Sequence, residues 1–182
     1  MKKSSILIAL FLAGSFVMMS FQKIGKDEKA IKLSDVSASL SMYQGVAGQD
    51  FVGESVVYKV IEKDSYDKTF KESALIYATL LQVDETIKGI NAGTIPMEGD
   101  FATANIGFAL QDIPGMKDRI AKLQEQLKNL KPKDDFKGLE MKKAPKAADG
   151  IKMANDHLAK SSTMLPSITE SLKEVAKKMI KK

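Results

Sequence analysis

His157 is the side chain in this sequence best suited to metal binding or acid–base chemistry, and it is the single histidine among 182 residues. A metal site on a helix needs another strong ligand three or four positions away on the same face. Those positions hold Met153, Ala154, Lys160 and Ser161. The pattern therefore predicts a partly exposed surface histidine, with no metal and no cofactor.

Catalysis by a nucleophile is also disfavoured by the sequence. The chain has no cysteine, which excludes thiol nucleophiles, disulfides and thiolate metal sites. Its serines lack the Gly-x-Ser-x-Gly elbow, and neither a phosphate-binding loop nor a dinucleotide fingerprint is present. Acidic residues such as Asp118 and Glu170 stand near lysines, as in the ion pairs of a helix surface. We therefore expect a protein that is not an enzyme.

Residues 131–146, KPKDDFKGLEMKKAPK, form the first candidate interaction site and are called the connector below. The connector holds six lysines, two prolines and one glycine. Such a composition is typical of a solvated surface loop. The functional alternative is a basic binding loop in which two apolar side chains also contact the partner. The candidate residues are Lys131, Lys133, Phe136, Lys137, Met141, Lys142, Lys143 and Lys146.

Pro114 and Pro166 form the second candidate, a kink site. Each falls inside a helical pattern, where proline removes a backbone hydrogen bond and costs about 3 kcal/mol. Asp112 before the first proline, and Ser162 or Thr163 before the second, could cap a restarted helix. We therefore predict a restart or a sharp kink at both prolines. The main role expected for the kinks is architectural, although unpaired carbonyl groups there could also create a functional site between them.

The elements that position these sites are helices, predicted from apolar residues that alternate three and four positions apart, as in a coiled-coil seam. The predicted helices cover 54 or 65 to 91, 100–131 and 147–180. The helix that ends at 91 has two seams side by side, which predicts burial on two sides. The seam of the second consists of Ala102, Ile106, Ala109, Ile113, Met116, Ile120, Leu123, Leu127 and Leu130. The seam of the third consists of Ile151, Ala154, Leu158, Ser161, Leu165, Ile168, Leu172, Val175 and Met179.

The two proline segments also align with each other at an offset of 52 residues. Pro114 then matches Pro166, and Ile113 matches Leu165. Few of the aligned residues are identical. A matched pair of kinked helices explains this pattern no better than two unrelated amphipathic helices that share a proline by chance.

The region 26–64 fits two structures. Apolar spacing from Leu33 to Tyr43 predicts a first helix over about 27–47. The alternating VSASLSM and the β-branched VVYKVI at 56–61 favour strands instead. We expect the helix, because an isolated hairpin would need a sheet partner that the rest of the chain does not offer.

The N-terminus is typical of an exported bacterial protein. Two lysines precede an uncharged run that extends to Gln22, so residues 1–22 are predicted to be a signal peptide. Residues 23–182 are predicted to form one helical-bundle domain. The alternative is an uncleaved anchor, because the run approaches the roughly 17–25 residues that span a bilayer. Without its first 22 residues the chain keeps 26 of its 28 basic residues and all 23 acidic ones.

The fold class predicted is all-α, a four-helix up-and-down bundle with proline-kinked third and fourth helices. The function predicted is non-catalytic interaction, in the periplasm or outside the cell, with another envelope protein, a lipid or an anionic polymer. The mild charge balance argues against nucleic acid. Membrane contact is expected only through the N-terminal segment, if it is uncleaved. The alternative is a bundle that binds a small ligand or a metal through His157 and buried carboxylates, and that could act as an enzyme.

Overall fold

The computed structural model of the protein describes residues 24–33, 36 and 55–180. Their elements are β1 (Glu28–Lys32), β2 (Ser55–Lys59), α1 (Asp64–Ala92), α2 (Asp100–Asn129), the short α3 (Pro132–Asp135), a 3₁₀ helix (Gly138–Lys143) and α4 (Ala144–Ile180). The prediction of a mostly helical chain is confirmed. The predicted signal peptide and most of the predicted first helix lie outside the described residues.

The helices α1, α2 and α4 pack against one another, and each contacts the other two. Phe70 of α1 lies against Gly150 of α4, and Tyr77 lies against His157 seven residues further along both helices, so α1 and α4 are parallel. The first turns of α1 share a groove with the last turns of α2, so these two helices are antiparallel. This arrangement brings the start of α1, the end of α2 and the connector to one end of the bundle.

The predicted seams form the core. In α2, every seam position from Ala102 to Leu127 is buried. In α4, most seam positions are buried, and the partly buried ones are Ile151, Leu165 and Met179. Because apolar burial is the main favourable term in folding, these seams account for the positions of the three long helices.

Helix α1 is buried on two sides, as its paired seams predict. Its buried face also contains small hydroxyl residues, Thr69, Ser73, Thr79 and Thr86. Each hydroxyl donates a hydrogen bond to the backbone carbonyl four residues earlier, at 2.8 to 2.9 Å. A buried hydroxyl is costly only when it lacks a partner. These residues therefore let α1 pack closely on two sides without leaving a hydroxyl unsatisfied.

The predicted first helix is wrong where the structure describes it, because residues 28–32 form strand β1. β1 pairs antiparallel with β2, and Glu28 stands opposite Lys59, with 2.6 Å between carboxylate and ammonium. The β-branched and aromatic residues Val56, Val57 and Tyr58 are buried. A two-stranded ribbon is stable when a helix covers one face, and β2 contacts both α1 and α4. No further strand is needed, and helix α1 begins after β2, at Asp64 rather than at 54.

Asp67 joins the hairpin to α1. Its carboxylate accepts hydrogen bonds from the backbone N–H groups of Ile61, at 2.8 Å, and Lys63, at 3.2 Å. Between them, Glu62 has a φ of 59°, a left-handed conformation that is uncommon outside glycine. Hydrogen bonds to a charged acceptor contribute more than those between neutral groups. Asp67 therefore holds a strained turn in place at the start of the helix.

The predicted break and restart at the prolines is not found. Pro114 lies inside the continuous helix α2, and Pro166 lies inside the continuous helix α4. The proposed cap residues have other partners: Asp112 pairs with Arg119, and Ser162 donates back to the carbonyl of Leu158. Both prolines are exposed, while the seam residues beside them are buried, as at Ile113 and Ile168, or partly buried, as at Leu165. Tertiary packing on both sides of each proline offsets the lost backbone hydrogen bond.

One amide pair lies in the core between α1 and α2. Gln82 is 3% exposed and Asn105 is 1% exposed. The side-chain Nε2 of Gln82 donates a hydrogen bond to Oδ1 of Asn105. Both helices therefore carry a polar group into an apolar layer, where Nε2 of Gln82 is paired with Asn105 while Oε1 of Gln82 has no hydrogen-bond partner among the described residues.

Candidate functional site

The connector is fixed to the core at its start. Asp135 accepts hydrogen bonds from the hydroxyl of Tyr66, at 2.5 Å, and from the backbone N–H of Lys131, at 3.0 Å. The Nζ of Lys63 donates to the backbone carbonyl of Asp135 at 2.7 Å. The bond from Tyr66 lowers the pKa of the Asp135 carboxyl, while burial and that same bond raise the pKa of Tyr66. Three groups from the end of one helix and the start of another thus meet at a single aspartate.

Phe136 anchors the middle of the connector. Its side chain is 1% exposed, and its ring centroid lies 5.4 Å from that of Tyr66. The Nζ of Lys63 lies 4.6 Å from the Phe136 ring centroid, a distance that allows a cation–π interaction. The prediction that Phe136 contacts a partner is wrong, because burying this ring against α1 removes it from the surface. Phe136 instead holds the connector in one conformation.

Beyond Phe136 the connector turns outward. Gly138 has a φ of 57°, in the left-handed region that glycine adopts without strain. The 3₁₀ helix that follows presents Leu139, which is 93% exposed, and Met141, which is 63% exposed. Among the described residues, Leu139 is the most exposed large apolar side chain. The predicted apolar contact at Met141 is therefore available, and Leu139 joins it.

Four lysines of the connector, Lys131 among them, form no ion pair among the described residues. Lys133, Lys137 and Lys142 are exposed, and none of them forms an ion pair within the part of the chain that the structure describes. Of the connector's three acidic residues, Asp135 is engaged with Tyr66, Glu140 lies 3.5 Å from Lys143, and Asp134 leaves one exposed carboxylate against the unpaired lysines. The surface around the 3₁₀ helix is therefore positively charged.

Two further connector lysines pair with acidic residues that flank the hairpin strands. Lys143 lies 3.6 Å from Glu62, and Lys146 lies 2.5 Å from Asp27. The hydrogen bond from Lys146 lowers the pKa of the Asp27 carboxyl. Lys26, Lys29 and Lys142 line the same groove as these pairs. The start of the hairpin and the connector thus form one basic surface at one end of the bundle.

The two prolines of the predicted kink site come together. Pro114 and Pro166 line one surface groove with a volume of about 670 Å³. Its remaining walls are Ile113, Lys117, Leu165, Thr169, Glu170, Lys173, Glu174 and Lys177. Three lysines face two glutamates there, so the charges nearly balance. The groove therefore has little net charge and would not strongly attract either an anionic or a cationic partner.

His157 is not at the surface, contrary to the prediction. It is 9% exposed, its ring stacks on Tyr77 with centroids 5.6 Å apart, and its Nδ1 has no hydrogen-bond partner among the described residues. Burial, together with the nearby charge of Lys160, lowers its pKa from 6.5 to about 4. The imidazole is therefore neutral near pH 7. No group of three histidine or acidic side chains in the described residues could hold a metal ion.

The sequence did not single out Leu139 as a contact residue. It stands in the short run FKGLEM, where three apolar residues are separated by polar ones and no helical period applies. Spacing alone cannot tell which of the three folds back onto the core. Residue size gives the useful signal, because the burial of a large aromatic ring contributes most free energy. By that criterion Phe136 is the buried member, and the two smaller side chains stay exposed.

No helix in the described residues is both long and apolar enough to cross a membrane. Comparison with protein-family models, with curated proteins and with solved structures gives no match to this chain. Function must therefore be inferred from the surfaces of the molecule itself.

Proposed function

We propose that the protein is an exported, non-catalytic helical-bundle protein that binds an anionic partner through the connector. The observation that carries this proposal is the exposure of Leu139 and Met141 among unpaired lysines. An isolated exposed apolar residue is ordinary on a protein surface. Two of them beside Lys137 and Lys142, on a segment fixed to the core, are typical of an interaction site.

The fixed conformation of the connector favours binding. Immobilising a flexible loop on association costs conformational entropy, which lowers the affinity. Tyr66, Lys63 and the buried Phe136 already impose that order in the free protein. A partner therefore meets a preformed surface at this end of the bundle.

The charge of the connector indicates an anionic partner. The connector contains six lysines and three acidic residues. This excess equals that of the whole chain after residue 22, which has 26 basic and 23 acidic residues. Outside the connector the charges therefore balance, and the positive charge is concentrated where Leu139 is exposed. Such a patch attracts anions and steers their approach.

Site-specific photo-crosslinking in the native envelope tests this proposal. A photoreactive amino acid replaces Leu139 in one variant and Ile180 in the other, and both residues are highly exposed, at 93% and 84%. We expect crosslinks from position 139 and few from position 180. Equal crosslinking at both positions, or none at 139, contradicts a binding role for the connector.

A charge variant provides the second arm of the test. Replacing Lys133, Lys137 and Lys142 together with glutamine should remove most of the crosslinks from position 139, because the anionic partner loses its attraction. The matched control replaces Lys117, Lys173 and Lys178, which are also exposed but lie outside the connector. Retained crosslinking in the first variant would refute an anionic partner at this surface.

A further inference from the structure

We infer that the partner of the connector is an anionic lipid bilayer, into whose apolar boundary Leu139 and Met141 insert while the lysines contact the headgroups. This inference rests on the function proposed above, and it names the occupant of that surface. A lipid partner is favoured by the types of side chain that the connector exposes and by the part of the chain that adjoins it.

The exposed residue types favour lipid over protein. The side chains that dominate binding energy at protein–protein interfaces are enriched in tyrosine, tryptophan and arginine, and such interfaces are depleted in lysine, although methionine is common in them. The connector contains none of the three enriched types, and its one aromatic ring, Phe136, is buried. What it exposes is two flexible aliphatic side chains and several lysines. A lysine can lay its long alkyl stem along an apolar boundary while its ammonium group stays at the headgroups.

A soluble anionic polymer would account for the lysines but not for the aliphatic residues. Leu139 is 93% exposed, so its whole side chain is in water in the free protein. Binding a hydrated polyanion would leave it there. Insertion into the boundary of a bilayer removes this apolar surface from water, as in proteins that dock by an apolar segment with a basic rim.

The adjoining chain leads to the same end of the molecule. Lys26 and Lys29 line a groove with Lys142 of the connector. In the sequence, the uncharged run that ends at Gln22 comes directly before them. The segment predicted to enter the membrane during export therefore joins the folded domain beside the connector. A bilayer that contacts this end of the bundle would therefore lie against the connector and close to the residues that follow the uncharged run.

Each exposed lysine and apolar side chain of the connector should contribute measurably to the affinity for an anionic membrane. Near an anionic membrane surface, one lysine changes partitioning about fivefold. Loss of Lys133, Lys137 and Lys142 should therefore weaken binding on the order of a hundredfold. Loss of the Leu139 side chain should weaken it about tenfold or more.

The test uses the absence of cysteine from the chain, which allows a single label to be placed at will. The full chain with Met141→Cys carries an environment-sensitive fluorophore, and a matched protein carries it at Ile180→Cys. Both are mixed with vesicles of phosphatidylcholine alone, or with about 30% phosphatidylglycerol. We expect a blue shift at position 141 with the anionic vesicles only, and no shift at position 180. The uncharged segment before Lys23 would enter neutral and anionic vesicles alike, so the dependence of the shift on anionic lipid separates binding by the connector from any contribution of that segment.

Further variants separate the two proposals. Leu139→Ser, and the triple lysine-to-glutamine variant, should each need more anionic lipid to give the shift at position 141. An equal shift with neutral vesicles, or at position 180, overturns the inference. So does the absence of any shift at 141 while position 139 still crosslinks to a protein or polymer, and in that case the proposed function stands. Absence of both the shift and the crosslinks overturns the two proposals together.

Discussion

Gly150 is buried where α4 packs against the ring of Phe70 in α1. A Cβ atom added at position 150 would overlap this ring. Phe70 is itself 1% exposed and meets Tyr66 edge-on, with ring centroids 5.9 Å apart, so it has little room to move. The glycine is therefore a packing requirement of the contact between the two parallel helices.

Gly150→Ala is expected to destabilise the fold. Alanine favours the helix by about 1 kcal/mol, but overpacking of a core typically costs about 1–3 kcal/mol. The control is Gly107→Ala in α2, where an added Cβ meets nothing within 4 Å. That change should stabilise the protein by about 0.5–1 kcal/mol. Urea unfolding compares them, and equal midpoints would contradict the predicted overlap with Phe70.

His157 should make stability depend on pH. Its pKa is lowered to about 4 in the fold, whereas an unfolded histidine titrates near about 6.5. Between these values the unfolded chain binds more protons, so the free energy of unfolding falls as the pH falls. From about pH 7 to pH 5, titration of His157 should lower the free energy of unfolding by about 2 kcal/mol. Above about pH 7, its contribution to that free energy should be constant.

The matched variant for this prediction is His157→Phe, which keeps a ring against Tyr77 but does not titrate. Protonation of carboxylates such as Asp27 and Asp135 also lowers the free energy of unfolding as the pH falls, because their pKa values are lowered in the fold. That loss is shared by both proteins, so the difference between them isolates the histidine. The same pH dependence in both proteins would show that the imidazole is accessible to protons in the folded state.

Among the helices, α2 and α4 each continue through a proline, and the effect of that proline on stability can be measured directly. Pro114 and Pro166 are exposed and lie inside continuous helices. Replacing either with alanine restores a backbone hydrogen bond to the carbonyl of Leu110 or Ser162. Restarted helices would instead have made the replacement neutral or unfavourable.

We therefore expect Pro114→Ala and Pro166→Ala each to stabilise the protein by about 1–2 kcal/mol, less than the roughly 3 kcal/mol helix penalty because the unfolded chain gains freedom. Thermal unfolding measures the change. Gln111→Ala, at an exposed position of α2, serves as the control and should change little. A lower melting temperature in both proline variants would mean that the core requires bends at these positions.

For the whole molecule, local periodicity explains what the sequence could predict. The helices α1, α2 and α4 were predicted within a few residues because each carries a long apolar stripe. The region 26–64 also fits strands, but a helix was expected there, because Glu28 and Lys59 pair across a long stretch of chain and the partner of a strand cannot be read locally. The β-branched residues at 56–61 indicate a strand, but local spacing does not show which segment pairs with it. The burial of His157 is likewise set by where α4 meets α1, and a single helix pattern contains no such information.

The candidate site was predicted in the same partial way. Composition identified the connector and its lysines, since a cluster of prolines and charged residues favours the surface. Composition could not predict that Phe136 folds inward, because the hydrogen bond from Tyr66 to Asp135 joins positions far apart in the chain. The sequence therefore located the surface, and tertiary contacts determine which of its side chains a partner meets.

The buried amide pair of Gln82 and Asn105 bears on the uniqueness of the fold. Apolar seams with alternating spacings of three and four look alike after a shift of one helical turn, so they tolerate alternative registers. A shift of α2 along α1 would separate the two amides and leave each without its hydrogen bond in an apolar layer. The contact between Gln82 and Asn105 therefore favours the observed alignment over registers that would break it. The apolar seams hold the helices together, and the amide pair determines how far along each other they are set.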